Sequence, residues 1–113
     1  MPRDDYFRIV YEILKELYIA MKDGEPVDPI KISADSLGIN QRYRDNVLGK
    51  MLKENLVEGF KIKKYVSGTE ISGIENIDIT HDGIAFLKNN SEMKKVVNYL
   101  MKIGETVPKF IIH

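Results

Sequence analysis

Arg42, Asn46, Gly49, Lys50 and Lys53 are spaced so that a helix over residues 40–55 collects them on one side. At about 100° per residue they fall within an arc of roughly 100°, opposite Val47, Leu48, Met51 and Leu52. The outward set has the chemistry of a DNA reader. Arginine donates two bonds to guanine and asparagine pairs with adenine. Lys50 and Lys53 would neutralise phosphates, and Gly49 lets a backbone come close. Arg44 falls on the inward side, where it is expected to pair with the preceding helix. A polar and often basic outer face is also ordinary for a solvated helix, so the wheel alone leaves both readings open.

A second basic group follows. Alternation places Lys61, Lys63 and Tyr65 on one face of a strand and Phe60 and Ile62 on the other, with Lys64 close to the tip of a hairpin. Lysines placed there supply charge to a DNA backbone or minor groove. A lysine-decorated edge strand that resists aggregation reads equally well. Glu70 and Glu75, expected near the hairpin tip, count against phosphate contact.

Catalytic and metal chemistry have little to stand on. With no cysteine, thiolate catalysis, disulfides and sulfur-ligated metals are excluded. The histidines are His81, at a helix start, and the terminal His113. His81 and Asp82 are adjacent in a helix and cannot face each other. No nucleophile elbow, phosphate-cradling glycine loop or metal-ligand spacing occurs. The expectation is a non-enzyme without cofactor or metal.

The elements that carry these residues can be read from caps and periods. A first helix from about Asp5 to Met21 buries Val10, Ile13, Leu14, Leu17 and Met21, with Phe7 and Tyr18 extending the stripe. Asp23-Gly24-Glu25-Pro26 ends it. Asp28 and Pro29 open a second, short helix whose Ile30, Ala34 and Leu37 share a face. Gly38 stops it in the left-handed conformation, and Asn40 caps the helix that bears the basic arc. Two helices joined by so short a glycine turn form a helix-turn-helix, which presents its second helix to DNA.

Past Gly59 a hairpin with a fairly long tip is expected, from Ser67 to Gly73, with a return strand near Ile74–Ile79. Thr80 caps a helix holding Ile84, Phe86 and Leu87. Ser91 caps a last helix with Met93, Val96, Val97 and Leu100 on one face. The order predicts an α+β fold, a winged helix-turn-helix with a β-hairpin wing and an added C-terminal helix. Residues 1–113 form one such domain, with an apolar tail over 104–113.

The chain resembles the YjcQ-like family of small winged-helix proteins of bacteria and phages. The resemblance rests on DDYFRIVYEILKELY at the start, LGINQRY before the third helix, and IDITHDGIAFLKNNSEMKK near the end. It extends from Asp4 to about Lys102. It implies the fold and carries over no catalytic or ligand-binding residue.

Charge then sharpens the choice of partner. The chain is neutral, yet Asn40–Val66 holds seven basic and three acidic residues, an excess of four that the remainder offsets. The hydrophobic and charged fractions, 43% and 30%, exclude an intrinsically disordered chain. MPRDDYF has no apolar signal core, and no apolar run reaches the roughly 20 residues of a membrane span, so the expectation is cytoplasmic. The expected function is DNA binding, as a small transcriptional regulator of a bacterium or phage. The alternative is a protein-interaction module that never touches DNA. The last helix and the tail residues Val107, Phe110, Ile111 and Ile112 carry two apolar stripes, expected to pair in a symmetric homodimer.

Overall fold

The computed structural model describes residues 1–112; His113 lies outside the described residues. Helix α1 (Tyr6–Asp23) starts where the Asp5 carboxylate accepts the Arg8 N–H at 3.1 Å. It buries Ile9, Val10, Ile13, Leu14 and Leu17 and is the axis of the molecule, packing against every later helix of length. Met21, expected in that stripe, lies in the last turn and is exposed.

The helix-turn-helix differs from its expected form. Asp28 accepts the Ile30 N–H at 3.0 Å and opens a 3-10 turn, Pro29–Ile32. Ser33 then caps afresh, accepting the Ser36 N–H at 3.2 Å, to start α2 (Ala34–Leu37). Two caps five residues apart split the short helix. The tighter turn swings Ile32 into the core in place of Ile30, which is left 70% exposed. Ala34 and Leu37 are buried as expected. Helix α3 (Gln41–Lys53) begins at Asn40, which accepts the Tyr43 N–H at 2.8 Å, and seats Val47, Leu48 and Met51 in the core.

After α3 the chain forms two separate antiparallel pairs. The short β1 (Val57–Glu58) pairs with β4 (Asp78–Ile79). Between them β2 (Lys61–Tyr65) and β3 (Gly68–Ser72) form the hairpin, Lys61 opposite Ser72 and Tyr65 opposite Gly68. The tip is therefore the two residues Val66 and Ser67, and the return strand comes earlier than Ile74. Ile74–Asn76 is a 3-10 turn. Gly59 forces this division. Its φ of 93° bends the chain, and a side chain there would run into the Asn76 carbonyl.

Thr80 caps α4 (His81–Asn89), accepting the Gly83 N–H at 2.8 Å. Asn90, rather than Ser91, caps α5 (Ser91–Lys102), accepting from Glu92 and Met93 at 2.8 and 3.3 Å. The amide of Asn90 reaches two orphan N–H groups at once, which the serine, one residue inside the helix, cannot.

One hydrophobic cluster takes in residues from Ile9 to Ile111. The four stripe residues of α5 are buried in it, as are Val107 and Ile111 of the tail. Phe110 meets Tyr18 edge to face at 5.2 Å, and the Lys22 ammonium stands 5.0 Å from the Phe110 ring centre. The α5 stripe and, of the tail, Val107 and Ile111 thus face the chain's own core, while Phe110 is half-buried. At that end Met101, Ile103 and Ile112 stay exposed. Among the described residues no helix is long and apolar enough to cross a membrane. Helices in the order α1–α2–α3, a hairpin, then α4 and α5 make an α+β fold consistent with a winged helix.

Candidate nucleic-acid interface

Helix α3 is held from beneath by Arg44. Its Nε donates to the Ile32 carbonyl at 3.1 Å and its Nη1 to Asp45 Oδ1 at 3.1 Å, so the inward arginine ties α3 to the turn before it. Gln41 also donates to Asp45 Oδ1, at 2.9 Å. Tyr43 fastens the same end, donating to the Asp4 carbonyl at 2.7 Å. Burial first, then the charges of Asp4 and Asp5, raise its phenol above the ordinary value, so it stays a neutral donor.

This anchoring leaves Arg42, Asn46, Lys50 and Lys53 exposed on the outer face. None of the three cations has an ion-pair partner among the described residues. The hairpin stands alongside. The face of β2 that carries Ile62 and Lys64 turns toward α3, with Ile62 Cδ1 3.5 Å from where a side chain on Gly49 would begin. Helix and hairpin enclose an open groove of about 790 Å³. Asn46, Lys50 and Lys53 line one wall, Lys64 and Thr69 the other, and Leu52 and Ile62 contribute apolar surface.

Four of the seven residues singled out from sequence meet here: Asn46, Lys50, Lys53 and Lys64. Arg42 lies in the first turn of α3, outside the groove lining. Lys61 and Lys63 occupy the opposite hairpin face and are not brought to it. Of the two acidic residues expected near the tip, Glu70 lies near it, two rungs away, and Glu75 does not. Glu70 stands across from Lys63 on the face turned away from α3, and Glu75 sits in the 3-10 turn at the hairpin base. Asp45 does line the groove, but Arg44 and Gln41 already bind its carboxylate. Thr69 was missed from sequence because only the register, Lys64 opposite Thr69, places it there.

Asp82 accepts from Asn55 at 2.9 Å, and His81 is exposed at the start of α4. No group of three metal-ligating side chains occurs among the described residues.

Residues 11–106 match the sequence model of the YjcQ protein family. The chain belongs to the YjcQ family. Its YjcQ region begins within α1 and runs through α5, so it contains both walls of the α3–hairpin groove and leaves out the tail from Val107 on. No curated protein and no solved structure matches the chain at a significant level.

Proposed function

We propose that this YjcQ-family chain is a DNA-binding module, a small regulator of transcription, and that it grips one strand of the duplex between α3 and the hairpin. The observation that carries this reading is the shared groove. Lys50 and Lys53 from the helix and Lys64 from the hairpin face one channel whose carboxylate, Asp45, is already paired. A phosphate chain seated there meets three ammonium groups from both sides. Helix α3 then lies in the major groove, where Asn46 pairs with adenine and Arg42 with guanine.

The test is an anisotropy titration of random and genomic duplexes over a salt series. Affinity should fall on a log–log plot with a slope of about −3, close to one counterion for each lysine. Alanine at Lys50, Lys53 or Lys64 should each flatten that slope by about 1, while alanine at Lys61 or Lys63 leaves it alone. Arg42→Ala or Asn46→Ala should cost about 1–3 kcal/mol at one base position. Equal, salt-independent binding by the native chain and all the variants would sink the reading.

A second reading, a protein-docking module without DNA affinity, draws on a different surface. Tyr6, Phe7, Leu56 and Phe86 line an open groove of about 640 Å³ with Glu54 and Asp82 among its lining residues. That surface matches a basic, apolar segment of a partner. Its signature would be no DNA affinity at any salt concentration.

A further inference from the structure

The hairpin tip has a property that phosphate contact does not use. Val66 is fully exposed and is the most exposed large apolar residue among those described; Tyr65 beside it is 54% exposed. Among the described residues none covers Val66, and Tyr65 keeps more than half of its surface open. The tip is also narrow, because Val66 and Ser67 alone connect the paired residues Tyr65 and Gly68. Lys63 and Lys64 precede it, one on each face of the ribbon.

We infer that Tyr65 and Val66 form an apolar wedge that enters the DNA minor groove beside the segment facing α3 and kinks the duplex there. This rests on the DNA-binding reading above. In a duplex the strand seated between α3 and the hairpin separates the major groove from the neighbouring minor groove. Val66 lies two residues past Lys64, roughly 7 Å further along an extended strand. A hairpin that reaches across the gripped strand therefore ends over the minor groove. That groove is about 6 Å wide, too narrow for two paired strands with their side chains. Only the tip fits, and it must open the groove to do so. Apolar side chains inserted in this way unstack a base step and bend the DNA away from the protein's wedge, toward the major groove. Lys64 then faces the phosphates of the gripped strand. Glu70 stands across from Lys63, on the face turned away from α3.

The experiment uses the full chain with an end-labelled duplex of about 30 base pairs, chosen from the salt-series titration. Energy transfer between the ends reads the bend, and anisotropy reads affinity in the same samples. The native chain should bend the duplex by about 20–90°. Val66→Ser and Tyr65→Ser should each lose half or more of that bend. Their salt slopes should stay native, since no lysine is removed. Both positions are exposed, so the variants keep the fold, which circular dichroism checks. A native chain that binds with a normal salt slope to a straight duplex overturns the wedge and spares the DNA-binding reading. So does a bend that both variants retain. Absence of salt-dependent binding by the native chain removes the reading and the wedge together, a result recognisable by its missing slope.

Discussion

Arg44 and Arg42 stand two residues apart on α3, and their surroundings decide what each substitution costs. Arg44 is buried, with its guanidinium on the Ile32 carbonyl and the Asp45 carboxylate. Arg44→Ala leaves both acceptors short and should destabilise the fold by about 2–3 kcal/mol in urea unfolding. Arg42 touches no such partner and is exposed, so Arg42→Ala should stay within about 0.5 kcal/mol in stability. Tyr11 makes the opposite case. It is buried on α1 and its hydroxyl has no hydrogen-bond partner among the described residues. Burial first, then the charges of Glu12, Glu105 and Glu16, push that phenol well above its ordinary 10.0. An unfolded chain releases the proton near 10.0 while the folded chain holds it. The contribution to stability is therefore complete below that pH and is lost as pH rises through it. Tyr11→Phe removes an unpaired hydroxyl and should be neutral, or more stable by about 1 kcal/mol, at neutral pH. It should also lose less stability between about pH 9 and 11 than the native chain does, as unfolding at each pH would record.

Among the elements, two helical glycines have opposite roles. A side chain at Gly83, in the first turn of α4, would run into the Leu56 carbonyl and come within 2.8 Å of Ile79 Cγ1. That carbonyl accepts the Thr80 N–H at 3.1 Å, so it cannot easily move. Gly83→Ala should destabilise by about 1–3 kcal/mol or more, although alanine is the better helix former. Gly49 on α3 faces Ile62 at 3.5 Å, an ordinary contact. Gly49→Ala should therefore gain about 0.5–1 kcal/mol of stability. Thermal unfolding of the pair distinguishes the glycine demanded by close packing from the one the fold does not need. If Gly49 serves the groove, its alanine variant pairs that gain with weaker DNA binding, since the added methyl projects into the space between helix and hairpin.

At the scale of the molecule, the C-terminal tail closes the core. Ile111 is fully buried and Ile112 is not. Ile111→Ala should cost about 2–4 kcal/mol and Ile112→Ala under about 0.5 kcal/mol in urea unfolding. A symmetric contact at this end would have to use Met101, Ile103 and Ile112, and sedimentation of the chain against its Ile112→Ser variant measures whether it does. Much of this architecture was legible in the residues. Asn40 and Thr80 cap the helices they were expected to cap, the first helix starts at Asp5, and Val47, Leu48 and Met51 lie inward on α3. Caps and helical periods act over a few neighbouring residues, so the chain alone determines them. It also determined that Lys61 and Lys63 would share a face apart from Ile62, because strand alternation is equally local. Which face meets α3 was not local. That depended on a two-residue turn at Val66 and Ser67 and on the bend at Gly59, and a slip of one residue would have exchanged the faces. Tertiary structure alone therefore placed Lys64 beside Asn46, Lys50 and Lys53 and turned Lys61 and Lys63 away. It also folded the tail inward, since burial of Ile111 depends on space left between elements far apart in the chain.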